Sequence, residues 1–536
     1  MKKLHNYIIV LLSILSISGC ADFLDTVPEG GTITEEQKGK AIESNPSLLA
    51  ADVAAMYANM IEYVGVLGEG YHNDFGYAAA CLYMDSNGAD MTCANIGYNW
   101  FSPNSSYADR EYSNMRTLFM WNLFYKQIAS ANIVLASVDP ETDDPLLRAY
   151  IGQALAIRAF DYLNLAQLHQ FTYVGHENEK CVPIVTENTT AEEASNNPRA
   201  TVTKVYELIM DDLNKAIAAL DGFTRKDKGY IDQAVAYGLR ARANLIMNNW
   251  EAAASDADSA LLLSGAIPYS LSQVSVPAFY DATDANVMWA NIITENNDIV
   301  LTGIINMPSH LCSFYTDGYV GVGAWKKINK PLYDKINAND IRKQWWLNED
   351  EESSLTKTSV YNQWRETASA DGDFGAYLNV KFAADGGEDG LYVQTPAQDW
   401  FLMRAEEMIF IKAEGLAMSG SPTEAKTLLE NFVNNNRMVK GTYTAPSDAA
   451  GLQEEIWYQR RIELWGEGFS FFDIMRLKKP VQRVVNNVTS FPDAWQFNIP
   501  AESPILLWLV PKSEIEANQG ISEEDNNEKV DPPTVG

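Results

Sequence analysis

Cysteine is scarce in this chain: five in 536 residues, with no Cys-x-x-Cys pair. That excludes a zinc ribbon and a thioredoxin-type redox motif. Histidine is equally sparse, at His5, His72, His169, His176 and His310. None has His-Glu-x-x-His spacing, which excludes a zincin. There is no Gly-x-Ser-x-Gly elbow, P-loop or Gly-x-Gly-x-x-Gly fingerprint, and no acidic stretch has EF-hand spacing. Basic residues number 40 against 71 acidic ones, for a net charge of -31. Such a surface repels phosphate backbones, so nucleic acid is not an expected partner. With so many carboxylates, no pair can be singled out as a glycosidase couple. The chain is therefore read as a non-enzyme with no metal and no cofactor.

Long apolar runs are also missing, except at the start. Met1-Lys2-Lys3 precedes an apolar stretch from Tyr7 to Ser18, followed by Ser18-Gly19-Cys20. Two lysines before about a dozen apolar residues make a secretory signal, because a spanning helix needs roughly 20. Small residues directly before a cysteine form a bacterial lipobox: acylation of the thiol and cleavage before it tolerate only small neighbours. Cys20 is thus the expected lipidation site and first mature residue. Several acyl chains, at about 0.8 kcal/mol per buried methylene, would hold the protein firmly to a membrane. The remaining Cys81, Cys93, Cys181 and Cys312 could form one or two disulfides or stay as buried thiols.

What the chain has in quantity is helical pattern. Helices are expected over about 46-64, 114-137, 145-169, 202-220, 230-248, 250-263, 397-418, 422-438 and 449-466. Val205, Ile209, Leu213, Ile217 and Leu220 recur on one face at spacings of three and four. Ser421-Pro422-Thr423-Glu424 has the form of a capping box with Pro at the first helical position. Two stretches pair helices around small residues. In 234-261, Ala241, Ala243, Ala253 and Ala260 flank the turn Asn248-Asn249-Trp250; in 413-433, Gly415 and Ala425 flank Gly420-Ser421-Pro422. Both resemble the tetratricopeptide pattern. The expected fold is mainly α: about four helix pairs packed against a large, loop-rich region with small β elements. The irregular stretches fall at about 65-113 and 264-396, and their aromatic content argues against disorder.

Several local motifs share one order along the chain. They are Cys20-Ala21-Asp22-Phe23-Leu24-Asp25, Trp121 to Asn132, Arg158-Ala159-Phe160-Asp161-Tyr162-Leu163, Val182-Pro183-Ile184-Val185, Arg404-Ala405-Glu406-Glu407, Arg460-Arg461-Ile462-Glu463-Leu464, Phe471-Phe472-Asp473-Ile474-Met475-Arg476 and Pro511-Lys512-Ser513-Glu514. Together they resemble the SusD/RagB family of outer-membrane nutrient-binding lipoproteins. Gln459, where the family usually has Glu, and Leu509-Val510, where it often shows Trp-Pro-Ile, depart from the pattern. The resemblance implies residues 1-19 as signal peptide, 20-45 as a lipidated spacer and 46-536 as one SusD-like domain. It implies an outer-membrane, lipid-anchored protein facing the exterior, which binds a glycan and delivers it to a SusC-type TonB-dependent transporter. The RagB branch would carry peptides instead, and a tetratricopeptide-type scaffold would bind no small ligand. Arg158, Arg404, Glu406, Arg461, Glu463 and Arg476 lie on amphipathic helices and are expected to form structural ion pairs rather than a site.

A sugar presents an apolar C-H face and a rim of hydroxyls, so exposed rings beside polar groups are the features to seek. The loops offer two clusters: Tyr71, His72, Tyr98, Asn99 and Trp100 in the first irregular region, and Tyr315, Tyr319 and Trp325 in the second. These are the candidate ligand-binding residues, with packing beneath a loop as the alternative for each. Trp121, Trp250, Trp289 and Trp465 have regular neighbours and are expected in the core; Trp345 and Trp346 could be either.

Overall fold

The computed structural model describes residues 35-68, 70-357, 375-383 and 396-534; Cys20 and the leader before it lie outside these residues. Eight long helices run in chain order: Met115–Ala136, Pro145–His169, Val202–Ala219, Gln233–Ile246, Trp250–Ser264, Ala405–Met418, Pro422–Asn436 and Ala449–Glu463. Each packs on the next, which makes four pairs. Side-chain caps start most of them: Asn114, Asp144, Thr201, Asp232 and Asp448 each accept a backbone N–H of the first turn. Close pairing depends on small residues. A side chain at Gly415 would meet the Trp250 carbonyl at 2.5 Å, and one at Gly152 would meet Leu220 Cγ at 2.7 Å. No helix among the described residues is long and apolar enough to cross a membrane.

The elements differ from expectation where burial is complete. Residues 397-418 are not one helix: Trp400–Arg404 is strand β4, paired antiparallel with β2 (Val287–Asn291), and the helix begins only at Ala405. The expected helix 46-64 ends at Ala58 after a 3-10 turn, Pro46–Leu49. Ser421 does stand at a helix start, with Pro422 next, but its side chain makes no cap hydrogen bond, so the capping box is not formed. Within the irregular stretch 65-113 lies a helix, Tyr77–Asn87, in which every residue from Ala78 to Asn87 is buried. A helix enclosed on all sides has no polar face and so shows no period of 3.6.

The motif residues form the ion pairs expected of them. Glu463 receives Arg437 at 2.8 Å, Arg404 at 3.0 Å and Arg342 at 3.2 Å; Arg404 also holds Glu467 at 2.8 Å and Glu406 at 3.0 Å. Lys381 bonds Glu467 at 2.6 Å. Burial pushes the Glu463 carboxyl up, but the three guanidinium groups outweigh it and hold the group well below the usual carboxylate range. Gln459 joins this network by accepting from Arg342, whose charge Asp340 already balances at 2.6 Å. Arg158 pairs with Asp212 at 2.8 Å, Arg476 with Glu414 at 2.8 Å, and Arg461 with Asp90. Trp121, Trp289, Trp345, Trp346 and Trp465 are core residues, while Trp250 is half-buried. Cys81, Cys93, Cys181 and Cys312 are all buried free thiols.

Candidate functional site

A short ladder brings the two aromatic loops together. Strand β1 (Met91–Cys93) pairs antiparallel with β3 (Lys326–Ile328), Cys93 opposite Lys326. The chain leaving β1 and the chain entering β3 therefore emerge at the same end. Ala94 continues the contact by donating to the Trp325 carbonyl at 3.3 Å. A side-chain carbon at Gly323 would meet Ile96 Cδ1 at 3.4 Å, so the loops touch at their tips.

From this base the rings stack inward from the surface. Trp100 lies over His72 with centroids 4.8 Å apart and planes 15° apart. His72 meets Tyr319 edge-on at 5.8 Å, and its Nδ1 is hydrogen-bonded to the Tyr319 hydroxyl. Tyr319 stacks on His310 at 4.7 Å, and His310 on Phe75 at 5.4 Å. Phe101 closes the stack edge-on to His310 at 5.1 Å. His310 Nε2 sits 2.9 Å from the His72 carbonyl, and Arg116 donates to the Trp100 carbonyl at 2.9 Å, which fixes the backbone at His72 and at Trp100. Burial, with the charge of Lys326 acting the same way, holds His310 well below its ordinary pKa, so it is neutral.

The outer end of the stack is open. Tyr98 is 61% exposed, with Ile96 and Val322 exposed beside it. Trp100, His72, Tyr71 and Trp325 are half-buried. Lys327 covers one face of Trp325, its Nζ 3.9 Å from the ring centroid. The other candidates point inward. Asn99 donates to the Ala94 carbonyl at 2.7 Å and accepts from the Phe101 N–H at 3.3 Å. Tyr315 donates to the Gly303 carbonyl at 2.8 Å, and Tyr319 is spent on His72. These three support the surface rather than form it. His310, Phe75, Ile96, Val322 and Arg116 join the cluster without any local sequence signal.

The arrangement is a shelf of ring faces and edges with apolar flanks and a few nitrogen donors. It offers stacking and hydrogen bonding. Among the described residues no group of three or more His, Cys, Asp or Glu could hold a metal. Deeper hollows lie elsewhere. One of about 50 Å³, among Gln167, Arg242, Glu407, Arg460 and Arg476, is lined by charges already paired and has room for little more than water. A wider groove of about 770 Å³, around Thr186, Asn196 and Gln519, has no ring in its walls. An open shelf suits stacking on a sugar better than either.

Comparison with known proteins points one way along almost the whole chain. Residues 41-245 match a SusD-like family described as starch-binding and associating with the outer membrane, and residues 285-527 match the SusD family. A SusD-like protein, P38, from Formosa agariphila is 23% identical, over 92% of this chain and 96% of that one. A SusD-like carbohydrate binding protein from Bacteroides vulgatus superposes with a TM-score of 0.70 at 23% identity, covering 90% of this chain and 98% of its own. A SusD superfamily protein from Bacteroides thetaiotaomicron gives 0.68 at 19% identity, covering 90% and 99%.

Proposed function

The chain belongs to the SusD family of non-catalytic binding proteins, and from that premise we propose that its aromatic shelf captures an oligosaccharide or polysaccharide at the cell surface and hands it to a SusC-type TonB-dependent transporter. In this reading Cys20 carries the lipid that anchors the mature chain to the outer membrane, facing outward, and the helix pairs are the rigid support. The observation that carries it is the Trp100–His72 stack, half-open beside the exposed Tyr98 and rooted through Tyr319 and His310 in the core. Ring faces pack on sugar C-H faces while nearby donors reach the hydroxyls. An open shelf favours a glycan over a peptide, which would need an enclosed groove to satisfy its backbone.

The test is a glycan array probed with the soluble chain beginning after Cys20, followed by Trp100→Ala and Trp325→Ala on whichever glycan is retained. We expect both variants to bind more weakly at an unchanged melting temperature. If both instead unfold, the two rings are core and the shelf has no binding role. Anchoring is checked separately: Cys20→Ala should move the protein out of the membrane fraction and abolish palmitate labelling.

A further inference from the structure

His72, at the open end of the stack, has two nitrogens in different surroundings. Its Nδ1 is bonded to the Tyr319 hydroxyl. Its Nε2 makes no hydrogen bond among the described residues and is not sealed from solvent. Among the described residues the Tyr319 hydroxyl meets no other acceptor, so its single proton goes to His72 Nδ1. A neutral imidazole whose Nδ1 accepts must carry its proton on Nε2. Burial lowers the His72 pKa, which keeps the ring neutral near pH 7. The neighbouring His310 is neutral too and reaches only the His72 carbonyl. Tyr319 and His72 thus form a relay of donors that ends at the surface.

We propose that His72, held in the Nε2–H form by Tyr319, is the hydrogen-bond donor of the shelf, presenting that N–H to an acceptor oxygen of a saccharide lying over the rings. The inference rests on the binding reading above, but its first half can be measured without any ligand. Four histidines remain once the leader is removed. Nitrogen-15 spectra of the histidine-labelled soluble chain, with the His72 signals assigned by their loss in His72→Gln, should show Nδ1 bare and Nε2 protonated. Tyr319→Phe should turn this into a mixture of both forms. Affinity electrophoresis in gels containing starch, xylan or homogalacturonan supplies the second half. His72→Phe keeps a stacking ring but has no N–H, and should lose about fivefold in affinity for whichever polysaccharide retards the wild type, the effect of about one hydrogen bond. Tyr319→Phe should weaken it in the same direction. A wild-type His72 protonated on Nδ1, or unchanged affinity in both variants, would overturn the proposal. A wild type retarded by no glycan, in gels or on the array, would instead defeat the binding reading, and the ligand-reading half with it.

Discussion

The interior around Glu463 and the surface around Trp100 are both dense with groups that can hydrogen-bond, and they use them in opposite ways. Around Glu463, three guanidinium groups converge on one carboxylate with no exposure to water. Every charge there is spent on another part of the chain, so the cluster fixes register and can bind nothing else. Around Trp100 the rings satisfy each other on the inner side, and the outer side is left open at Tyr98 and His72. The family's strongest motifs thus mark the scaffold, while the surface that would meet a ligand is written in loop residues with no transferable pattern.

The hardest way to break that contrast is to remove the centre of the charged cluster. Glu463→Gln leaves Arg437, Arg404 and Arg342 without their common partner, and should cost about 3–5 kcal/mol, read as a lower denaturant midpoint. A loss below about 1 kcal/mol would mean the other acids redistribute to cover the arginines. Next comes the shelf. Trp100→Ala should weaken glycan binding by about 1–2 kcal/mol, roughly tenfold, while its melting temperature stays within about 2 °C of wild type.

A third experiment turns to a buried carboxyl with no hydrogen-bond partner among the described residues. Both oxygens of Asp161 are buried and make no hydrogen bond to described residues. Burial raises its carboxyl well above the ordinary 3.8, so the folded chain keeps it protonated at pH values where the unfolded chain ionises it. Stability from this group is therefore lost as pH rises above the unfolded value. Asp161→Asn should be more stable than wild type near pH 7, by on the order of 1–3 kcal/mol, and the gap should close as pH falls toward about 4. A gap that does not change with pH would show Asp161 ionised and paired. The smallest effect is expected at Tyr98→Ala: no change in melting and a loss of binding of about 1 kcal/mol or less, measured on the same glycan.

Much of the scaffold was legible because amphipathic helices announce themselves. Val205 to Leu220 and the small residues around Trp250 and Gly415 marked helices that the structure contains. What was hidden had lost its periodicity. The helix Tyr77–Asn87 and the strand Trp400–Arg404 are buried on every side, so neither carries a polar face to betray its period. The site was half legible. Its ring residues stand out among Gly and Asn, but which ring is open depends on a three-residue ladder between strands more than 230 positions apart. Asn99 and Tyr315 look identical to surface residues in sequence and are turned inward only because Ala94 and Gly303 offer carbonyls there.

If Trp100 grips a sugar, removing its ring must loosen the grip. Calorimetric titration of the array-selected glycan into the wild type and into Trp100→Ala, at matched melting temperature, tests it most directly. Saturable binding by the wild type and roughly tenfold weaker or undetectable binding by the variant are expected. Equal affinity in the two would contradict this.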